Sequence, residues 1–156
     1  MADLSSPMPV SSNNLIIISY NLHGYNQGVE TVRDLIKTLN PDVILLQEHW
    51  LTPVGLRKLN EISDNYFVFA ASAMEDVVSL GPLSGRPFGG TAILIRNKFV
   101  TVTSSIVKHD RFTAIKIFNW LIIDVYMPSV GTQDRNLLYS DIVNELEVLI
   151  SDYSYC

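Results

Sequence analysis

The chain has 156 residues, of which 47% are hydrophobic and 17% charged, and a formal net charge of −5. That size and composition suit one folded domain with a real core and exclude a disordered or collagen-like chain. The acidic balance argues against a general polyanion binder, whose footprint is a basic stripe, but leaves room for a few local cations or a metal ion to read phosphate.

The only cysteine, Cys156, is the last residue. No internal disulfide is possible, which fits a reducing compartment. Residues 1–14, with Pro7, Pro9 and four serines, read as a disordered lead-in. They lack the basic start and apolar segment of a secretory signal. The apolar runs are strand-sized, far short of the roughly 20 residues of a membrane helix. The expectation is an intracellular protein, nuclear or cytoplasmic, with no membrane partner.

Leu15 to Tyr20 reads as a buried strand that ends in Asn21-Leu22-His23-Gly24. Val29, Val32, Leu35, Ile36 and Leu39 then recur on one helical face, and Asn40-Pro41-Asp42 stops that helix. Val43-Ile44-Leu45-Leu46 is a second buried strand, running directly into Gln47-Glu48-His49-Trp50. Strand, helix and strand in close succession form a βαβ-type pattern. If the two strands are parallel, Asn21 and Glu48 share the rim where open α/β sheets place ligands.

Leu51 to Ile62 reads as a short helix, Tyr66 to Ala70 as a strand and Ala71 to Phe88 as a long surface loop. After Gly89-Gly90, four strands are expected to form an antiparallel meander: Thr91–Arg96, Phe99–Val107, Arg111–Phe118 and Trp120–Tyr126. Thr132 is the expected N-cap of a last helix, with Asp134 in its first turn. Leu138, Ile142, Leu146, Leu149 and Tyr153 mark the inner face of that helix. A mixed sheet with helices on one side needs cover on the other. The chain therefore reads as one α/β domain over residues 15–156, incomplete at its C-terminal end.

Glu48 is the sharpest chemical candidate. A carboxylate at the mouth of a buried strand is costly unless it is paired or bound to a cation. An ion pair or exposure to water explains it as readily as a metal role. Mg²⁺ would use such a carboxylate while keeping waters for substrate phosphate. Asn21 alone reads as a turn residue bonding its own backbone. Tyr126 reads as a core phenol or a phosphate contact, and Arg111 as a solvated strand-start charge or a phosphate clamp. His49 faces away from Glu48 by strand alternation and suits a packing or capping role. His23 and His109 read as loop and turn residues, and Trp50 and Trp120 as core or rim aromatics. No zinc spacing or nucleophile–His–acid triad is present.

Taken together, the ordered motifs Ser19-Tyr20-Asn21 with Gly24, Leu46-Gln47-Glu48, Gly89-Gly90-Thr91-Ala92-Ile93-Leu94 and Val125-Tyr126-Met127-Pro128 resemble the endonuclease/exonuclease/phosphatase superfamily. Leu46 to Leu51 and Gly85 to Gly90 most resemble the endonuclease domain of LINE-type retrotransposon proteins. The resemblance implies part of a four-layer α/β/β/α sandwich and Mg²⁺-dependent (Mn²⁺ as substitute) phosphodiester hydrolysis. In the retrotransposon branch the product is a nick in DNA that primes reverse transcription. By resemblance Glu48 is the metal ligand, Asn21 supports the metal–phosphate network, and Tyr126 contacts the scissile phosphate. Arg111 and Ser129 contact substrate, Ser129 standing where the family often has Asn. The family's later Gly-Asp-Phe-Asn motif and its final Asp and His do not occur here. The resemblance thus implies a fragment of weak or no activity, prone to self-association through an uncovered sheet. Two other readings are a phosphatase acting on phospholipid or inositol phosphate, and a non-catalytic interaction module.

Overall fold

The computed structural model describes residues 14–154. The disordered lead-in expected over residues 1–14 lies almost wholly outside the described residues, as does Cys156. Strand β1 (Ile17–Asn21) and strand β2 (Val43–Gln47) pair in parallel and are joined by helix α1 (Tyr25–Leu39). The apolar stripe of α1 turns Val29 and Val32 into the core. Asn40 ends the helix in a left-handed conformation, its N–H reaching the Ile36 carbonyl, and Pro41 follows.

A 3-10 helix, Val54–Glu61, stands where the short helix is expected. Strand β3 (Tyr66–Ala71) leads into the long connection, which carries one short helix, α2 (Glu75–Ser79), rather than loop alone. Strands β4 (Thr91–Arg96), β5 (Thr103–Lys108), β6 (Phe112–Ile117) and β7 (Trp120–Val125) follow, then helix α3 (Arg135–Ser154).

The expected four-strand meander is split. β4 lies inside the first sheet, in the order β1-β2-β4-β3, antiparallel to both neighbours. Only β5-β6-β7 form a meander, as a separate sheet. The reason lies in the residues of β4. Ala92 and Leu94 pack toward α1 while Ile93 and Ile95 pack toward the second sheet. A strand apolar on both faces needs cover on both faces. The chain leaves β4 through a 3-10 helix, Asn97–Val102, which buries Phe99 and takes up the start of the expected second meander strand.

Two other expectations need correction. β1 is an edge strand, not a fully buried one. Ile18 and Tyr20 pack on the helix-side core, but Ile17 is 39% exposed and Ser19 and Asn21 face solvent. The second sheet packs across β2, β4 and β3 and leaves the other face of β1 open. Thr132 does not cap α3. It sits in a turn whose N–H reaches the Ser129 carbonyl, and the Asp134 carbonyl accepts the N–H of Leu138 at the start of the helix.

Four layers result, in the order α1 with its neighbouring 3-10 helix, the four-stranded sheet, the three-stranded sheet, and α3. Ile142 of α3 is buried, Lys116 of β6 lies 5.7 Å from the Tyr153 ring, and His109 at the β5–β6 turn reaches Glu145 at 3.0 Å. One apolar core, with Ile44, Leu46 and Leu94, fills the space under α1, and a second, with Val43, Ile93 and Ile115, lies between the sheets.

At one end the inter-sheet core turns polar. Thr91 of β4 and Thr113 of β6 share a 2.8 Å hydroxyl contact across the sheets. Gln47 of β2 donates its amide to Asp124 of β7. Asp124 is only 2% exposed, and its Oδ2 has no hydrogen-bond partner among the described residues. Burial pushes its carboxyl up to about 7, against the Gln47 hydrogen bond and the nearby backbone of Ala92 and Leu46.

Because the folded-state value lies above the ordinary one near 3.8, the folded state holds an extra proton between about pH 4 and 7. The stability linked to Asp124 is therefore complete below that window and is lost as pH rises through 7. Asp124→Asn removes this loss. Urea unfolding from pH 4 to 8 is expected to show the variant gaining on the wild type as pH rises, by on the order of 1 to 4 kcal/mol at pH 8. A constant difference across that range contradicts the buried, proton-holding carboxyl.

Candidate active site

The C-terminal ends of β1, β2 and β7 and the N-terminal ends of β4 and β6 meet on one rim. The apolar run of β2 stops at Gln47, yet the chain stays tied into the sheet for three more residues. The Glu48 and Trp50 N–H groups donate to the Gly90 and Gly89 carbonyls, both at 2.9 Å. On the other side, Gly24 and Tyr25 N–H donate to the Glu48 and His49 carbonyls at 2.8 and 3.0 Å. Glu48 and Trp50 are both left-handed, with φ of 54° and 56°, and His23 opposite them has φ of 48°. Each such non-glycine residue costs roughly 1–3 kcal/mol and persists only where its surroundings over-determine it.

His49 is the internal peg of this segment. It is fully buried, its Nε2 donating to the Ala71 carbonyl at 3.0 Å and its Nδ1 accepting the Leu51 N–H at 3.0 Å. Burial lowers its pKa to about 4, so the ring is neutral and holds this tautomer. The Gly90 backbone packs directly on the ring. A Cβ there would lie 2.2 Å from His49 Cε1. His49 therefore packs and caps, while Glu48 turns out to the rim.

Asn21 Nδ2 donates to Glu48 Oε1 at 3.1 Å, and Asn21 Oδ1 accepts the His23 N–H at 2.9 Å. The backbone bond fixes which way the amide points, so Asn21 orients the carboxylate with its NH₂ group. His23 Nδ1 lies 3.7 Å from Glu48 Oε2, and its ring tilts against Trp50 at 5.0 Å between centroids. Partial burial pushes the Glu48 carboxyl up. The Asn21 hydrogen bond, the Tyr126 hydroxyl, His23 and the Trp50 side chain outweigh it and hold the group below its ordinary value. Glu48 is thus ionised at neutral pH. Tyr126 is shifted upward, first by burial and then by Glu48, so its phenol stays protonated as a donor.

Glu48 forms the floor of a cleft of about 470 Å³. Tyr126, Ser129 and Arg111 form one wall, the Arg111 guanidinium lying 5.7 Å over the Tyr126 ring. Trp50, Arg86, Pro87 and Phe88 form the other. All five residues singled out from sequence, Asn21, Glu48, Arg111, Tyr126 and Ser129, thus lie on one rim. His23, Trp50, Arg86 and Phe88 were not marked by their types alone. The signal that points to them is Gly89-Gly90, which pins the end of the long connection against Glu48 and Trp50.

Among the described residues no three His, Cys, Asp or Glu side chains converge as a metal cluster. One ionised carboxylate, oriented by an amide and open to a cleft, still fits a hard divalent cation that completes its shell with water and phosphate.

The pattern of the endonuclease/exonuclease/phosphatase family matches residues 18–142. A DNA-(apurinic or apyrimidinic site) endonuclease of Dictyostelium discoideum is 25% identical over 130 residues, 80% of this chain and 33% of that protein. Two solved structures share the fold at a TM-score of 0.58. The 3′ phosphatase NExo from Neisseria, bound to product DNA hairpin, is 15% identical over 88% of this chain and 53% of that one. The AP endonuclease LMAP from Leishmania major is 14% identical over 80% of this chain and 44% of that one. The chain thus spans about a third of the curated relative and about half of each solved structure. No helix among the described residues is long and apolar enough to cross a membrane.

Gly90 and Gly131 share nearly the same φ, 91° and 92°, but a Cβ at Gly131 meets nothing within 4 Å. Gly131→Ala is expected to cost only the left-handed strain, about 1–2 kcal/mol in urea unfolding. Gly90→Ala adds about 1–3 kcal/mol of overpacking on His49. Equal losses would contradict the role of Gly90 as a packing partner of His49.

Proposed function

Because the chain belongs to the endonuclease/exonuclease/phosphatase family, we propose that its rim is a metal-assisted phosphodiester-hydrolysing site of the DNA-nicking, retrotransposon-endonuclease type. The observation that carries this reading is Glu48, held ionised by Asn21 at the floor of a cleft walled by arginine and phenol. In this reading Glu48 binds Mg²⁺, with Mn²⁺ as a substitute. Asn21 orients the carboxylate and tunes it from behind. When bound, the cation neutralises charge that develops on the phosphate and leaving oxygen.

The chain's own groups bind and orient the phosphodiester. Tyr126, protonated, donates to a phosphate oxygen, and Ser129 beside it offers a second hydroxyl. Arg111 holds a flanking phosphate, the geometry for which guanidinium is suited. Such preorganised donors act on charge that appears in the transition state. No general base is assigned within residues 15–156, and the reading expects slow turnover from this chain alone. The retrotransposon branch is supported by the pairing of the two stretches that resemble it. Residues 46–51 and 85–90 bond to each other around Glu48.

Titration of the 156-residue chain with Mn²⁺, followed by electron paramagnetic resonance, is expected to find one site. Glu48→Gln should abolish it, and Asn21→Ala should weaken it by about 10- to 100-fold. Slow nicking of supercoiled plasmid in Mg²⁺ should vanish with Glu48→Gln. An undiminished Mn²⁺ site in Glu48→Gln would sink the assignment. Phosphate release from inositol phosphates without plasmid nicking would move the chain to the phosphatase branch.

A further inference from the structure

The second wall of the cleft is not explained by a phosphate-binding role alone. A site that only grips phosphate wants cations and amide donors. Here a guanidinium, Arg86, and two aromatic side chains, Trp50 and Phe88, line the same cleft as Glu48. Phe88 is 44% exposed although it is a large apolar side chain, and the residue after it, Gly89, is bonded to Trp50. The Trp50 N–H bond to Gly89, one residue beyond Phe88, ties both aromatics to the same backbone pair. The His23 ring tilts against the Trp50 ring, and a Cβ on Gly24 would lie 2.7 Å from Trp50 Cε3. The indole is therefore packed into a fixed place beside Glu48.

Aromatic rings and a guanidinium lining one cleft match the local combination that binds unpaired nucleic acid. Guanidinium groups follow the backbone, and bases stack on aromatic faces. A paired base inside a duplex offers no free face to such a wall, whereas an unstacked one does. We propose that Trp50 and Phe88 form a stacking wall for an unpaired DNA base next to the scissile phosphate, with Arg86 gripping the adjoining phosphate. The site then selects single-stranded, frayed or distorted DNA over intact duplex. This rests on the phosphodiesterase reading above, since it names the substrate class of the same cleft.

The test uses the 156-residue chain in EDTA, where nothing is cleaved. Binding of short fluorescent oligothymidylate is compared with an abasic phosphodiester of equal length by anisotropy. Trp50→Ala and Phe88→Ala should each weaken oligothymidylate binding by about 5- to 100-fold and leave the abasic strand unchanged. Trp50→Phe, which keeps an aromatic face, should restore most of the affinity. Arg86→Ala should weaken both ligands and lower the salt slope by about one. Phe88 is exposed and outside the core, so its variant reports binding even if a Trp50 variant unfolds. Equal effects of the aromatic variants on both strands would overturn the stacking wall and leave the phosphodiesterase reading standing. Failure of the wild type to bind oligothymidylate would overturn the stacking wall, while the Mn²⁺ titration and plasmid nicking decide the phosphodiesterase reading separately.

Discussion

Everything on the functional rim depends on one backbone constraint, the left-handed turn at Glu48 and Trp50. A strand that continued past Gln47 would aim Glu48 by simple alternation into one layer of the sandwich. The turn instead lifts its carboxylate out to Asn21 and Tyr126. Such a turn is unfavourable for residues with a Cβ. It survives because hydrogen bonds clamp it from both sides, from Gly24 and Tyr25 on one and to Gly89 and Gly90 on the other. The two glycines matter for opposite reasons of the same kind. Gly24 makes room for Trp50, and Gly90 makes room for His49.

The second constraint is the polar end of the inter-sheet core. Between sheets, close-packed apolar side chains normally do the work. Here Gln47, Thr91, Thr113 and Asp124 link the two sheets just beneath the rim. Gln47 precedes Glu48, and Asp124 lies two residues before Tyr126, which directly follows β7. The polar links therefore set the position of one sheet's functional residue against the other's. Their cost is a carboxyl with an unpartnered oxygen, which burial keeps protonated up to about neutral pH. Packing alone does not lock the relative slide of two sheets as directional hydrogen bonds can.

Charge distribution links this architecture to function. The chain is acidic overall, yet its cleft gathers Arg86 and Arg111 with protonated Tyr126 around a single carboxylate. The local field, not the net charge, decides what such a cleft admits. Two arginines from distant parts of the chain line one cleft because the end of the long β3–β4 connection is bonded to the segment after β2, while the β5–β6 turn arrives from the second sheet.

The sequence by itself determined the local elements and the chemistry of single residues. Apolar runs at 15–20 and 43–46, with helical spacing between them, marked a βαβ-type pattern, since hydrophobic periodicity is a local property of the chain, while the parallel pairing of the two strands came from the tertiary structure. Polar residues directly after those runs put Asn21 and Glu48 at strand ends, which share one rim if the strands are parallel, and the ordered motifs led by resemblance to Tyr126, Arg111 and Ser129. Only the tertiary structure decided which strands pair, because pairing depends on what covers each face. That choice put β4 at the centre of the first sheet, left β1 on its edge and split the expected meander. It also decided the other wall of the cleft. Arg86 and Phe88, in a stretch that the motifs marked only by resemblance, come to Glu48 and Trp50 through backbone hydrogen bonds across some forty residues, a contact that no local periodicity encodes.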